Sequence, residues 1–352
     1  VGSFEAKHQQ HDQLMNMGKP RGRSVLPLAL IFLSAVYILH GAGTCQREPS
    51  LCAALVGSKE EIGEDQLVTA NTANWDAKVS RVVQAGRRKV SLLMDFDRTM
   101  SRTFLDDGSR SLDCHDMVAS IPKVTSECQQ RMSELMDKYY PIEIDPHMSK
   151  EEKSPHMTEW HEQVSQLLQA QNITFNDVKA VVAESKALAL RKGLEDLVRI
   201  AVSKDIPVII VSAGVGNIIQ EVVEQRIWPA TGLEGSPWKK MRVLSNMMLW
   251  DEHGNHTGWS KPLVHVYSKS MTGAPRDVMQ LLRGRDKVIV CGDSTGDLTL
   301  ADGLKSSDVL KFGFLSEKIE ERLPVYASED AFDRVILNDG SFGPVIEIFE
   351  RL

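Results

Sequence analysis

VSLLMDFDRT, residues 90–99, joins a short apolar run directly to two aspartates, Asp95 and Asp97. A short apolar run of this length is typical of a strand that is buried on both faces of a parallel sheet. Side chains two residues apart in an extended segment point to the same side. The stretch therefore predicts a buried strand at 90–94 that presents two carboxylates together at its carboxyl end, where α/β proteins build their sites.

Further apolar runs occur at 207–211 and 288–291, and a weaker one occurs at 309–314. Helical patterns, for example at 216–226 and 275–283, alternate with these runs. Alternation of buried strands and helices is the pattern of βαβ units. We therefore expect an α/β fold with a Rossmann-like, doubly wound parallel sheet.

Residues 105–189 differ from the rest, because they carry helix starts and amphipathic spacing but no convincing buried strand. Ser149 and Glu152 form the sequence signature of a capping box at one of these helix starts. We expect a mainly helical cap domain over 105–189, inserted into a catalytic core that consists of residues 76–104 and 190–352.

Residues 1–75 are expected to form a leader and a linker, with an apolar segment at 25–39 that follows three basic residues. This order is typical of a signal peptide or a signal anchor, although a full membrane span needs about 20 apolar residues. Membrane attachment through this segment and an unstructured or untranslated leader are both open at this point.

The overall composition is that of a soluble globular protein, with 42% hydrophobic and 25% charged residues and a formal net charge of −7. Lysines and arginines are scattered rather than clustered, which argues against binding to a nucleic-acid polymer. The five cysteines include no CxxC pair, which argues against a zinc knuckle. Nothing in the sequence points to a protein partner.

Polar residues follow two further strands. Asp293 and Asp297 lie in GDSTGD, residues 292–297, and hard carboxylate oxygens of this kind suit Mg²⁺. The alternative for this stretch alone is an ordinary strand-to-helix turn with an aspartate cap. Ser212 and Ala213 follow the run at 207–211, where a hydroxyl and free amides at a helix amino end predict an anion site.

The order of these motifs resembles that of the haloacid dehalogenase phosphatases, over roughly residues 88–340. The intervening sequence is similar to the type III cytosolic 5′-nucleotidases in DFDRTMSR (95–102), KYYPIEIDP (138–146), VSAG (211–214), HVYSKS (265–270) and GDSTGDL (292–298). Members of that family cleave nucleoside 5′-monophosphates, many with a preference for pyrimidines, and some accept 7-methylguanosine monophosphate. The resemblance implies a magnesium-dependent 5′-nucleotidase of the cytoplasm that works through an aspartyl-phosphate.

The resemblance also implies roles for the acidic residues. Asp95 is the expected nucleophile and Asp97 the expected general acid and base. Mg²⁺ is expected on Asp95, on Asp293 and on the backbone carbonyl of Asp97. Asp297 is expected to orient the metal shell or Lys269.

The phosphate of the substrate is expected to contact Ser212 and Ala213. Lys269 is expected to neutralise the phosphoryl oxygens, because it matches the family pattern HV-x-x-K. Lys261 is the alternative on spacing alone.

In the cap, Glu143 matches the family glutamate that contacts the nucleoside. Trp160 and His161 stand where the family places aromatic residues that stack on the base. Trp160 also lies on an apolar helix face, so a core role for it stays open, and Val164 stands where the family has a serine, which leaves the base preference open.

Two other functions remain open on the sequence. The core motifs also suit a phosphatase for another small phosphomonoester, since only the cap argues for nucleotides. A catalytically inactive, membrane-tethered binding module is the third possibility, against which the intact pair Asp95 and Asp97 argues.

Overall fold

The computed structural model describes residues 66–69, 72–145 and 147–352. The strands are β1 (Leu67–Thr69), β2 (Val90–Met94), β3 (Val208–Val215), β4 (Met241–Asn246), β5 (Met248–Trp250), β6 (His256–Trp259), β7 (Lys287–Gly292), β8 (Asp308–Leu315) and β9 (Arg334–Leu337). The α-helices are α1 (Thr72–Ala85), α2 (Cys114–Ala119), α3 (Ser126–Ile144), α4 (Lys150–Gln169), α5 (Phe175–Glu184), α6 (Leu194–Ser203), α7 (Gly216–Val222), α8 (Trp228–Thr231), α9 (Arg276–Leu281), α10 (Ile319–Tyr326) and α11 (Gly343–Arg351).

The apolar segment predicted at 25–39 lies outside the described residues, as does nearly all of the leader at 1–75. Among the helices of the described ranges, none is long and apolar enough to cross a bilayer.

Seven strands form the main sheet in the order β1-β9-β8-β7-β2-β3-β4. All neighbours are parallel except β1, which pairs antiparallel with β9. The strand β2 lies between β7 and β3, and Met94 at its end is opposite both Cys291 and Ile210. The predicted parallel sheet is confirmed, and its register brings the ends of three strands to one edge.

Helices cover both faces of this sheet. Leu92 and Met94 are fully buried in a large cluster on one face. Leu93 points to the other face and packs in a second cluster with Val278 of α9. Because side chains alternate along a strand, burial of all three residues requires cover on both sides. This explains why the run at 90–94 is apolar except for Ser91.

Helices α2 to α5 come between β2 and β3 in the chain, in the stretch predicted to be mainly helical. The predicted capping box of α4 is present: Glu152 N donates to Ser149 Oγ at 3.2 Å, and Ser149 N donates to Glu152 Oε2 at 2.8 Å. The hairpin β5–β6 also contacts this segment, since His256 N donates to the carbonyl of Ile173 at 2.9 Å. The division into cap and core remains a prediction. The contact shows that the hairpin β5–β6, from the predicted core segment 190–352, packs against the predicted cap.

The end of β3 differs from the prediction. Ser212 and Ala213 were expected after the strand, at the amino end of a helix, but the strand continues through Val215 and α7 begins at Gly216. The pairing with β4 shifts register between Val211 and Val215. An irregular strand end of this kind has no apolar periodicity, so the sequence pattern did not reveal it.

Candidate active site

Three carboxylates meet at the carboxyl edge of the sheet. Asp95 directly follows β2, and Asp293 and Asp297 follow β7. One oxygen from each of these three residues lies within 4.8 Å of the others. The main-chain hydrogen bond from Asp95 N to the carbonyl of Cys291, 2.9 Å long, extends the pairing of the two strands to this point. The structure thus brings together carboxylates that the sequence places after two different strands, because neighbouring parallel strands end at a common edge.

A buried lysine joins the cluster. Lys269 Nζ lies 2.6 Å from Asp95 Oδ1 and 2.9 Å from Asp297 Oδ1, and the residue is only 6% exposed. Burial lowers the pKa of Lys269, but Asp297, Asp95 and Asp293 raise it more, so the ammonium stays charged. The alternative, Lys261, is exposed and forms an ion pair with Glu162 at 2.6 Å. The structure therefore brings Lys269 and not Lys261 to the acidic cluster.

The charge of the cluster fits a divalent cation. Burial raises the pKa of Asp95 well above its ordinary value; Lys269 opposes this, and Asp297 and Asp293 raise it further. Burial and Asp297 likewise raise the pKa of Asp293 to about 6. Asp95 and Asp297 are buried and Asp293 is half-buried, and Lys269 and Arg98 offset part of their negative charge. The negative charge that remains is costly unless a cation balances it. Carboxylate oxygens are the ligands that Mg²⁺ takes in proteins.

Both carboxylate oxygens of Asp297 accept hydrogen bonds from the protein. Asp297 Oδ1 accepts a hydrogen bond from Lys269, and its Oδ2 accepts from Ser294 N at 3.0 Å and from Ser294 Oγ at 2.9 Å. A Cβ at Gly292 would lie 2.2 Å from Asp297 Cβ, so only glycine fits against this side chain. Both oxygens of Asp297 therefore have protein partners, which suits an orienting residue better than a direct metal ligand.

Asp97 is held beside the end of β3. Its Oδ1 accepts from Cys114 N at 2.9 Å. A Cβ at Gly214 would lie 2.7 Å from Asp97 Oδ2, so a larger residue at 214 would displace the carboxyl group. Burial, followed by Asp113 and Asp95, raises the pKa of Asp97 to about 8. A carboxyl group with this pKa is protonated near neutral pH and can donate a proton.

The predicted phosphate-binding residues lie at the same sheet edge, since β2 and β3 are neighbours in register. Ser212 is buried, and its Oγ accepts from Gly214 N at 3.0 Å, which leaves its own proton free to donate to an anion. The carbonyl of Ala213 accepts from Asn246 Nδ2 at 2.9 Å, which fixes the peptide on that side.

Glu143 lies in the last turn of α3 and is half-buried. Burial raises its pKa, while Lys269, Arg98 and Lys153 lower it, in that order. Its main-chain carbonyl accepts a hydrogen bond from the hydroxyl of Tyr267, which stands two residues before Lys269 in the chain. The structure thus places the predicted nucleoside contact close to the predicted chemistry, although 126 positions separate the two residues in the chain.

The aromatic candidates on α4 occupy two environments. The ring of His161 lies 6.0 Å from that of His115, between centroids. Trp160 stacks on Tyr139 at 5.9 Å, with ring planes 15° apart, and packs against the large core cluster. Both interpretations of Trp160 therefore stay open, whereas His161 and the unpredicted His115 face each other across the cap.

Sequence reasoning missed Arg191, a buried residue that holds the main chain after the two aspartates. Its guanidinium donates to the carbonyls of Arg98 (2.6 Å), Thr99 (2.6 Å) and Gly340 (2.8 Å), and it lies 4.2 Å above the ring of Phe314. Arg98 has a φ of 60°, which most side chains disfavour. A single arginine in a loop has no periodic signature, so no signal in the sequence marked it.

The buried environment of His161 predicts a pH-dependent loss of stability. Burial, with His115 and His265, lowers the pKa of His161 to about 3. Because the unfolded chain binds this proton near pH 6.5 and the folded chain does not, the free energy of unfolding falls as the pH drops below 6.5. We expect His161→Gln to flatten this dependence by up to about 1.4 kcal/mol per pH unit.

Denaturant unfolding of both proteins between pH 7 and pH 5 measures this difference. His253→Gln is the control, because the side chain of His253 is 77% exposed. Equal slopes for wild type and His161→Gln would contradict the placement of a neutral His161 in the folded protein.

Comparisons with known proteins identify relatives of this chain. Residues 98–352 match the family model described as pyrimidine 5′-nucleotidase (UMPH-1). The human 7-methylguanosine phosphate-specific 5′-nucleotidase is 33% identical over 277 residues, which cover 78% of this chain and 88% of that protein. The Drosophila melanogaster protein of the same name is 27% identical over 297 residues, covering 84% of this chain and 89% of its own length.

Among solved structures, the crystal structure of cytosolic 5′-nucleotidase IIIB bound to cytidine has the same fold. It superposes with a TM-score of 0.69 at 24% identity and covers 81% of this chain and 93% of that chain. This shared fold agrees with the predicted Rossmann-like, doubly wound parallel sheet. With the family match over 98–352 and a relative that is 33% identical, the chain belongs to the pyrimidine 5′-nucleotidase (UMPH-1) family.

Proposed function

We propose that this chain hydrolyses nucleoside 5′-monophosphates to nucleoside and phosphate, with Asp95 as the nucleophile. Membership of its family makes it a 5′-nucleotidase, a hydrolase of phosphomonoesters. The observation that carries the assignment of residues is the buried contact between Lys269 Nζ and Asp95 Oδ1, 2.6 Å long, at the edge where three strands end. This contact favours the ionised form of Asp95 against the burial that raises its pKa, and it holds the carboxylate at the edge of the sheet.

The first step breaks the ester bond. A carboxylate oxygen of Asp95 attacks phosphorus, an aspartyl-phosphate forms, and the 5′ oxygen of the nucleoside departs. Asp97, whose raised pKa keeps it protonated, gives its proton to the departing oxygen. In the second step Asp97, now ionised, takes a proton from water as the water attacks phosphorus. Phosphate leaves, and Asp95 and protonated Asp97 are restored.

We assign the metal to Asp95, Asp293 and the backbone carbonyl of Asp97, with Asp297 as an orienting residue. Mg²⁺ bound there would offset negative charge on the transferring phosphoryl group. Lys269 supplies further positive charge, already fixed in place by two carboxylates before substrate binds. Such preorganised charge is usually the largest contribution to rate in sites of this type.

For the substrate, we assign phosphate binding to Ser212, Ala213 and Lys269, and nucleoside binding to Glu143 and His161 of the cap. The family name specifies pyrimidine nucleotides, and the relatives named above act on 7-methylguanosine phosphate by their names. We therefore propose pyrimidine or 7-methylguanosine monophosphates as substrates.

We also propose that the enzyme works in the cytoplasm, in keeping with the word cytosolic in the name of its structural relative. Attachment to a membrane through residues 25–39 stays a separate proposal. A lumenal catalytic domain would lie away from cytosolic nucleotides, so the two proposals agree only if this segment does not carry the domain across a bilayer.

The test is phosphate release by residues 46–352 from CMP, UMP, GMP, AMP and 7-methylguanosine monophosphate, each with Mg²⁺ or with EDTA. We expect release from the pyrimidine or the methylated nucleotide, and we expect EDTA to abolish it, because the acidic cluster then lacks the balancing cation. If phosphate were released only from phosphoserine or from a sugar phosphate, the proposed substrate class would be another phosphomonoester and not a nucleotide. No release from any substrate by folded protein would favour an inactive binding module.

A further inference from the structure

The main-chain carbonyl of Glu143 accepts hydrogen bonds from two side chains of distant segments. Lys153 of α4 donates through Nζ at 3.0 Å, and the hydroxyl of Tyr267 donates from the core. Glu143 lies in the last turn of α3, where the carbonyls have no partner within the helix. The end of α3 is therefore held by donors from two other segments of the chain.

The two donors also contact each other. Lys153 Nζ lies 3.3 Å from the hydroxyl of Tyr267 and 5.2 Å from the centroid of its ring. Lys153 is only 7% exposed, and within the described part of the chain it forms no ion pair with a carboxylate. A buried ammonium without such a partner is costly. The carbonyl of Glu143 and the ring of Tyr267 are the groups that stabilise this ammonium.

This contact joins the predicted cap to the predicted core next to the acidic cluster. Tyr267 stands two residues before Lys269, in the loop that delivers the buried ammonium to Asp95. Burial, followed by Glu143, raises the pKa of Tyr267 to about 12, so its hydroxyl stays a hydrogen-bond donor over the working range of pH. Anchoring the carbonyl of a residue restricts the direction in which its side chain can point.

We propose that Tyr267 and Lys153 are positioning residues, which hold Glu143 toward the nucleoside and thereby set the selectivity for nucleotides over other phosphomonoesters. The proposal rests on the proposed function, since it requires that Glu143 contact the nucleoside. It predicts that loss of the Tyr267 hydroxyl weakens nucleoside binding and leaves phosphate binding unchanged.

The test measures binding without turnover. Calorimetry gives the Kd of cytidine, of 7-methylguanosine and of inorganic phosphate for wild type and for Tyr267→Phe, which removes one oxygen atom only. We expect the Kd of the bound nucleoside to rise about tenfold, the loss of one hydrogen bond, while the Kd of phosphate stays within twofold. In turnover, KM for the monophosphate should rise with kcat unchanged.

Two further variants separate positioning from a general structural role. Lys153→Met should raise the Kd of the nucleoside in the same direction as Tyr267→Phe. If Tyr267 acts through Glu143, the double variant Glu143→Gln with Tyr267→Phe should bind the nucleoside only slightly more weakly than Glu143→Gln alone. Tyr139→Phe is the matched control, because it removes a cap hydroxyl that contacts Lys138 and Gln163, both at 2.8 Å.

The outcomes distinguish this proposal from the proposed function. Nucleotide turnover by wild type, with the same nucleoside Kd in Tyr267→Phe, would overturn the positioning role and leave the function intact. An equal rise in the Kd of nucleoside and of phosphate in Tyr267→Phe would also overturn the positioning role. So would a double variant in which the two losses of nucleoside binding simply add. A wild type that neither hydrolyses nucleotides nor binds either nucleoside would overturn both.

Discussion

Asp95→Asn is expected to lower phosphate release from every substrate by at least about 10⁴-fold, the scale on which loss of a catalytic nucleophile acts. An amide has nearly the same shape as a carboxylate, but its oxygen is too weak a nucleophile to attack phosphorus. Lys269 keeps its contact with Asp297 at 2.9 Å, so the local structure is expected to survive. Single-turnover and steady-state assays with malachite green detection would measure the loss.

The stability of Asp95→Asn separates this loss from misfolding. The pKa of Asp95 is raised in the folded protein, so its ionised form costs stability at pH 7 in the absence of a metal. We therefore expect the variant to melt no lower than wild type in EDTA. Asp302→Asn, at an exposed aspartate outside the cluster, should behave as wild type. Substantial phosphate release by Asp95→Asn would exclude Asp95 as the nucleophile.

Lys269→Met is expected to impair both catalysis and folding. Removing one partner of a buried ion pair leaves charge uncompensated and costs about 3–5 kcal/mol. Here two carboxylates, Asp95 and Asp297, lose their contact with the ammonium. Loss of a preorganised charge at the transferring group should lower kcat by a further factor of about 10²–10³. Chemical unfolding and kinetics well below the melting temperature measure the two effects separately.

Lys261→Met is the control for this variant. Lys261 also forms an ion pair, at 2.6 Å from Glu162, but both side chains are at least half exposed. Exposed pairs contribute about 0–1 kcal/mol, so we expect little change in stability and none in kcat. If Lys261→Met were the damaging variant and Lys269→Met the silent one, the assignment of the neutralising lysine would be reversed.

The sequence predicted the fold well where burial imposes a pattern. The runs at 90–94, 207–211 and 288–291 are almost wholly apolar because both faces of the sheet are covered, and such runs are easy to detect. The acidic cluster followed from the same reasoning, because parallel strands end at one edge. The residues at that edge were identified, while their individual roles remain proposals.

The contacts that hold the site in place were not predictable in this way. Arg191 reaches carbonyls near Asp97 from about 90 positions away, and Tyr267 reaches Glu143 across 124. Hydrogen bonds to main-chain carbonyls place almost no demand on the residue type of the acceptor, so the acceptor leaves no mark in the sequence. The extension of β3 through Ser212 was missed because an irregular strand end breaks the alternation on which prediction depends.

The short strand β1 has a consequence for how this protein behaves in solution. Leu67–Thr69 pairs with Arg334–Ile336 and thus occupies the outer edge of β9. Without those three residues, β9 would present unpaired N–H and carbonyl groups at the margin of the sheet, which is a template for joining another chain. We expect chains that lack residues up to 69 to self-associate at high concentration, although every residue of the acidic cluster is still present.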